Sequence, residues 1–156
     1  MSDGRGGLVV RFDAQAADEV GLASLAFLPA SVARRVGLTT AVVALGGTSP
    51  VRLGLGVVDG RLHTLLAIGP VAPRGPVVIC DRPGTEPIAL AVADVVASGV
   101  FEVVEDGVHV PGGVAPELHL APLLDRIEAA VWVQRAGRPP SSLPPPSPRS
   151  PVMRSR

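Results

Sequence analysis

The stretch VRLGLGVVDGRLHTLLAI, residues 51–68, decides the fold of this chain. Residues 51–58 and 61–68 are short apolar segments of the kind that form strands, and Asp59-Gly60 separates them. An Asp-Gly pair between apolar strands favours a two-residue type I′ turn, because that turn needs a positive φ at both central positions. The sequence therefore predicts an antiparallel hairpin with its tip at Asp59-Gly60.

Short apolar segments broken by Gly and Pro recur on both sides of this hairpin. Their spacing of roughly 8–12 residues is typical of a barrel or a sandwich. Residues 31–36 depart from the pattern and are predicted to form a single helical turn with Ser31 as its N-cap. The remaining predicted strands are residues 8–12, 21–28, 76–81, 86–92, 95–104 and 108–110.

The C-terminal part of the chain changes character twice. It first has an apolar stripe with helical spacing, which consists of Leu120, Leu123, Leu124, Ile127 and Val131. This stripe predicts a helix that packs on the β domain. Residues 137–156 are then rich in Pro, Ser and Arg, and proline excludes both helix and sheet interior. We therefore predict a β domain over residues 1–136 and a disordered tail over residues 137–156.

Composition and charge narrow the function classes. The 156 residues are 47% hydrophobic, which is enough for one domain with a core. All fourteen acidic residues lie at or before Glu128, and five of the fourteen arginines follow it, so the body carries about −5 and the tail +5. Because phosphate contacts need clustered cations, an acidic body argues against a nucleic-acid-binding domain.

Several features favour a cytoplasmic protein. No apolar run reaches the 18 residues that a membrane-spanning helix requires, and the N-terminus lacks the apolar segment of a signal peptide. The single cysteine, Cys80, cannot form an internal disulfide. We expect a cytoplasmic location without direct membrane insertion.

The residues that could carry catalysis are scattered. Cys80 lies in the apolar segment PVVICD, where Asp81 opposes thiolate formation, so a buried structural cysteine is expected. His63, His109 and His119 have no partner at a metal-ligand spacing and are expected on the surface, His63 on the outer face of its strand. The sequence thus predicts no catalytic residue, no metal and no cofactor.

The order of elements resembles the CheW-like family of chemotaxis coupling proteins over roughly Leu8 to Val131. Three short segments are similar to that family: the first strand LVVRF, the ending ADVV at residues 93–96, and the helical segment ELHLAPLLDRI at residues 117–127. In the family, the strand that corresponds to the second segment ends in Val-Asp-x-Val. Three further segments carry the resemblance: LAFLPASVARRV (residues 25–36), GGTSPVRLGLGVVDG (residues 46–60) and VVICDRPGTEPIAL (residues 77–90).

This resemblance implies two intertwined SH3-like β-barrels and a non-enzymatic adaptor between chemoreceptor tips and a CheA-type histidine kinase. The family has Asn-x-Arg-Gly at the hairpin, whereas this chain has the shorter Asp59-Gly60-Arg61, which implies a divergent member with one of the usual contacts. No nucleic acid and no small-molecule substrate is expected. The expected partner-binding residues are Val57, Val58, Asp59, Gly60 and Arg61, with Arg34 and Arg35 as a second set.

Two other interpretations remain open. The chain could be an unrelated all-β module that recruits an SH3-like or acidic partner through its Pro/Arg tail. It could also be an enzyme that uses Cys80, which a fast-reacting thiol of low pKa would indicate. For Arg34-Arg35, an ordinary solvated face is favoured over partner docking.

Overall fold

A computed structural model describes residues 3–45, 50–82 and 84–125. The sheets lie in one compact unit, Met1–Leu120, and within the described ranges the chain is mostly β. The elements are β1 (Gly4–Arg11), α1 (Ala14–Glu19), β2 (Leu25–Pro29), β3 (Ala33–Leu45), β4 (Val51–Val58), β5 (Arg61–Ile68), β6 (Pro76–Arg82), β7 (Thr85–Ala91), β8 (Asp94–Val104), β9 (Gly107–Val110) and β10 (Gly113–Ala115).

Five consecutive strands close into a barrel in the order β3-β4-β5-β7-β6. Neighbours are antiparallel except β5 and β7, which run parallel from the Thr64–Ile88 pair to the Leu66–Leu90 pair. The long strand β3 closes the ring because residues 33–38 pair with β6 and residues 39–45 pair with β4. Register shifts between residues 39 and 44 bend β3 between its two partners.

The predicted hairpin is confirmed residue for residue. β4 and β5 pair antiparallel from the Val51–Ile68 pair to the Val58–Arg61 pair. Asp59 has φ 52° and Gly60 has φ 76°, the two positive values that a type I′ turn requires. This turn sets the register of β4 against β5.

The barrel is packed on both sides of its wall. Its interior is filled by alternate residues of the strands, with Leu65 and Ile79 among them. Leu66, one residue on and facing outward, is also fully buried. Part of the outer face is therefore covered by other elements. Helix α1 is one of them, since a Cβ on Gly69 at the end of β5 would lie 2.6 Å from the Cβ of Ala16.

The other sheet has the order β10-β9-β8-β1-β2. The whole closed barrel is inserted between β2 and β8, which are joined through β1 in this sheet. The segment after β10 returns to β2: Phe27 N–H donates to Pro116 O at 2.8 Å and Leu118 N–H donates to Phe27 O at 2.9 Å. The five-stranded sheet is thus a half-barrel that curls back on itself.

Phe27 of β2 forms the centre of the half-barrel core. It is fully buried, and Val9 and Val108 pack in the same cluster. The rings of Phe27 and Phe101 meet edge to face with centroids 5.9 Å apart. The guanidinium of Arg5 lies over the Phe27 ring, 5.5 Å from its centroid.

The predicted fold class is confirmed: the chain is mostly β, with one closed barrel, one half-barrel and helical residues from 120 to the end of the described range at 125. Among the described residues, no helix has the length and apolar character needed to cross a membrane. Three predictions lie outside the described residues: the last part of the helical stripe at Ile127 and Val131, the end of the domain at residue 136, and the tail at residues 137–156.

The predicted helical turn at residues 31–36 is wrong. Strand β3 begins at Ala33, and its first half is held by pairing with β6, where Val36 lies opposite Val78. A helix lies earlier in the chain: α1 has Asp13 as its N-cap, and the Asp13 carboxylate accepts a hydrogen bond from Ala16 N–H at 3.0 Å. The short strand β10 and the second half of β3 were also not predicted, and β2 begins at Leu25 instead of residue 21.

Candidate binding site at the mouth of the closed barrel

The two predicted sets of contact residues come together at one end of the closed barrel. Arg34 and Arg35 lie at the start of β3, and Asp59-Gly60-Arg61 forms the tip and first residue after the β4–β5 turn. Arg35 and Asp59 are 24 positions apart in the chain but form a salt bridge. The antiparallel pairing of β3 with β4 brings them together, because it places the first half of β3 beside the end of β4.

Two ion pairs order this end of the barrel. Arg35 donates from a guanidinium nitrogen to Oδ2 of Asp59, and Arg34 lies 3.5 Å from Oδ1 of Asp81. All four side chains are about half exposed, so each pair contributes little to the free energy of unfolding, on the order of 0–1 kcal/mol. Their effect is to orient the arginines around the barrel mouth.

A cavity of about 530 Å³ opens between these groups. Its size lies within the range of small-ligand sites, roughly 300–1,000 Å³. Strands β3, β5, β6 and β7 and the β4–β5 turn supply its walls. Its polar and apolar lining includes Arg35, Asp59, Arg61, His63, Ile79 and Glu86.

His63 faces into this cavity, so its predicted position on the outer strand face is wrong. It has the same parity on β5 as Leu65, which lies in the barrel core, and it pairs with the buried Gly56 of β4. The side chain is half-buried, and Nε2 is buried without a hydrogen-bond partner in the described part of the chain. His63 is thus an inward-facing polar group at the open end of the barrel.

The charges around the cavity are only partly balanced. Arg34 and Arg35 have carboxylate partners, whereas Arg61 makes no ion pair within residues 3–45, 50–82 and 84–125. Glu86 on β7 also lines the cavity and is likewise unpaired within those ranges. Arg61 is exposed, so its guanidinium is available to a ligand.

The other predicted contact residues have different surroundings. Val58 is fully buried in the barrel core, so its side chain presents no surface to a partner. Val57 points outward and is half-buried, and it pairs across the hairpin with Leu62, which is 59% exposed. Leu38 of β3 is 61% exposed. The outer face of β3, β4 and β5 therefore carries exposed apolar side chains next to the charged mouth.

Cys80 is a buried structural cysteine, as predicted. Its side chain is fully buried on β6 and its Sγ lies 3.6 Å from the carbonyl oxygen of Val78. Desolvation, with a smaller contribution from the charge of Asp81, raises the pKa of the Cys80 thiol to about 12. At neutral pH the group is a thiol and not the thiolate that nucleophilic chemistry requires.

The histidines outside the barrel mouth are surface residues, as predicted. His109 is exposed on β9, and His119 is exposed with Nδ1 3.8 Å from a carboxylate oxygen of Glu117. His63 and Glu86 are the site residues that the sequence did not indicate. Strand alternation from Leu65 back to His63 is the signal that could have placed His63 inside, whereas nothing local indicated Glu86.

No protein-family model, curated protein or solved structure matches this chain. The barrel mouth and the neighbouring apolar face are therefore interpreted from their own geometry and chemistry.

Proposed function

We propose that the chain is a non-enzymatic chemosensory adaptor of the CheW-like type, which couples chemoreceptors to a CheA-type histidine kinase. The observation that carries the proposal is the topology: a closed five-stranded barrel is inserted between two strands of a second, half-closed barrel. Two small barrels interleaved in this way match the architecture that the family resemblance implies. The charged hairpin tip lies at an end of the inserted barrel.

Two kinds of surface support an adaptor role. The outer face of β3, β4 and β5 exposes Leu38 and Leu62 by about three fifths each, and Val36 by 46%. Exposed apolar side chains on the outer face of a small barrel are suited to packing against another protein. The charged residues beside them supply specificity and register more than affinity.

Each residue of the hairpin tip has a distinct role in this proposal. Asp59-Gly60 holds the tight turn, and Asp59 also fixes Arg35 through their ion pair. Arg61 has no such partner within the described ranges and supplies the charged contact to a receptor helix. The hairpin is two residues shorter than the family pattern, so we propose that the protein keeps one of the two usual contacts.

A capture experiment with the full chain tests this function. Wild type, Arg61→Glu and the matched control Arg11→Glu, on the other sheet, are each used to capture partners from cytoplasm that contains chemoreceptors and a CheA-type kinase. We expect wild type and Arg11→Glu to retain a receptor or the kinase and Arg61→Glu to retain much less. Recovery of neither partner by folded wild type would overturn the proposal.

Deletion of residues 137–156 separates this function from a tail-dependent module. The β domain alone should still capture its partner, because the proposed contacts lie on the barrel. Loss of capture on deletion, with the barrel still folded, would favour recruitment through the Pro/Arg tail.

A further inference from the structure

Strand β8 has a strand partner on only one side for most of its length. Residues 94–102 pair with β1, whereas on the opposite side β9 pairs only with Val103 and Val104. No other described segment pairs with β8. The edge of residues 97–101 that faces away from β1 is therefore open within the described part of the chain, and such an edge is a template for pairing with another chain.

One hydrogen bond shows which backbone groups this open edge presents. Val103 N–H donates to Asp3 O at 2.9 Å, on the β1 side. Successive residues of an antiparallel strand direct their N–H and C=O groups alternately to its two sides, and the register with β1 has no shift from residue 97 onward. Ser98 and Val100 therefore direct their backbone groups away from β1 and offer two donors and two acceptors to an added strand.

The core of the half-barrel is incompletely covered along the same edge. Gly99 is exposed and has no side chain, so its backbone is accessible. Strand alternation places Gly99 on the same face as Ala97 and Phe101, which pack against the half-barrel core but are only partly buried. A Cβ at Gly99 would meet no atom within 4 Å beyond its chain neighbours. An added strand thus has room for a large apolar side chain over Gly99.

The charge at one end of the open edge is negative. Three exposed acids lie there without an ion pair in the described part of the chain: Glu102, Glu105 and Asp106. Both arginines of β1 are already paired, Arg5 with Glu117. The other, Arg11, is paired with Asp94. Strand β8 itself contains no basic residue, so a second copy of it offers these acids no partner, whereas a basic chain complements them.

We propose that the open edge of β8 binds an extended, basic segment of another protein, which joins the half-barrel sheet as an antiparallel strand. The added backbone bonds with Ser98 and Val100, and a large apolar side chain covers Gly99. A basic side chain near the N-terminal end of the segment meets Glu102. This surface lies on the sheet that does not carry Arg61, so the proposal goes beyond the adaptor function and does not depend on it.

Hydrogen exchange of the backbone amides tests the open edge in the free protein. In the full chain alone, the amides of Ser98 and Val100 should exchange fast, whereas those of Gly99 and Phe101, which point to β1, should be protected. Slow exchange at Ser98 and Val100 would show that another part of the chain already covers the edge and would overturn the proposal.

A blocked heptapeptide, acetyl-Arg-Thr-Val-Phe-Thr-Val-Thr amide, is the probe for the added strand. In the proposed register its third and fifth residues lie opposite Val100 and Ser98, and its Phe lies opposite Gly99. We expect saturable binding by calorimetry, with new protection of the Ser98 and Val100 amides. A peptide with Glu in place of Arg should bind more weakly, because it meets the acids of β8 with like charge.

Two N-methylated forms of the peptide separate strand pairing from other contacts. Methylation of the third residue blocks an N–H that points to β8 and should weaken binding at least tenfold. Methylation of the Phe, whose N–H points away from β8, should have little effect. These peptides test the proposal on the wild-type chain.

Two pairs of protein variants locate the site. Val100→Pro removes an edge N–H that faces away from β1 and should weaken peptide binding at least tenfold, whereas Val100→Thr keeps that N–H and should bind like wild type. Glu102→Gln should weaken binding, whereas Glu19→Gln, with the same loss of charge on α1, should not. Thermal unfolding confirms that each variant is folded.

The remaining outcomes are decisive. Absence of saturable binding, or equal effects of the two N-methylated peptides, overturns the proposal. Dimers of the chain alone that Val100→Pro abolishes would identify a second copy as the occupant and would also overturn it. Peptide binding without capture of a receptor or kinase would sustain this proposal while overturning the adaptor function, and the reverse result would do the opposite.

Discussion

Arg35 on β3 donates a hydrogen bond to the Asp59 carboxylate at the tip of the β4–β5 turn, although the strand register places Arg35 opposite Ile79 of β6. The contact therefore joins β3 to the turn at the end of the neighbouring strand β4, at the mouth of the barrel. The two sets of residues that were predicted separately to bind a partner therefore form one charged rim.

Asp59 has two roles that substitution can separate. Asp59→Asn keeps a residue that tolerates φ 52° and removes the ion pair, so the free energy of unfolding should change by less than about 1 kcal/mol. Asp59→Val also places a β-branched side chain at positive φ and should cost on the order of 1–3 kcal/mol. Urea denaturation measures both, and equal losses would contradict the assigned turn conformation.

Adjacent glycines of β1 should differ sharply in their tolerance of alanine. A Cβ at Gly7 would lie 2.2 Å from the carbonyl oxygen of Leu28 and 2.7 Å from Cε1 of Phe27, whereas a Cβ at Gly6 would meet only Gly99 O at 3.8 Å. We expect Gly7→Ala to lower the free energy of unfolding by about 2 kcal/mol or more, because it overpacks the β1–β2 contact. Gly6→Ala is the matched control and should be close to neutral. A similar loss in both variants would contradict this packing.

The stability of this protein at alkaline pH should depend on the ionisation of one side chain, Cys80. The chain contains no lysine and no tyrosine and a single cysteine, so between about pH 9 and pH 12 Cys80 is the side chain that titrates. Burial raises the Cys80 pKa from 9.0 to about 12 in the folded state. The unfolded state therefore loses its proton first, and stability should fall as pH rises through this window, by up to about 1.4 kcal/mol per pH unit.

The control for this slope is Cys80→Ala. The variant is expected to start from a lower stability, because it leaves a small cavity, but its free energy of unfolding should be flat from pH 9 to pH 12. Denaturant titrations at several pH values measure both slopes. An equal slope in the two proteins would show that Cys80 is not the buried titrating group.

His63 should lower the stability of the barrel. His63→Leu removes the buried unpaired Nε2 and should raise the free energy of unfolding by about 1 kcal/mol. The same substitution at the exposed His109 should not stabilise the protein. Thermal and chemical denaturation provide the comparison, and a destabilised His63→Leu would indicate that the imidazole is satisfied in the folded protein.

The parts of the fold that sequence predicted are those fixed by neighbours in the chain. The bounds of β4 and β5 and the turn at Asp59-Gly60 follow from local alternation and from the need for positive φ, and the structure has them as predicted. The burial of Cys80 likewise follows from its apolar segment. Such features need no long-range information.

The segment that was wrongly predicted to be helical shows what long-range pairing decides. Residues 31–36 carry a local helix signal in Ser31, yet from Ala33 onward they belong to β3 because β6 supplies backbone partners on one side. Ala33 pairs with Cys80, 47 positions later, so no local pattern could indicate that pairing. Tertiary pairing overrode a weak local preference.

The sequence by itself determined the β class, the hairpin and the identity of the charged residues, because turn geometry and strand alternation act over a few residues. Only the tertiary structure decided that Arg35 meets Asp59, that His63 faces inward like Arg61, and that Glu86 of the neighbouring strand β7 lines the same cavity. Those relationships depend on which strand lies beside which in a closed ring. That choice is made by burial of the whole barrel interior, to which every strand contributes and which no single segment encodes.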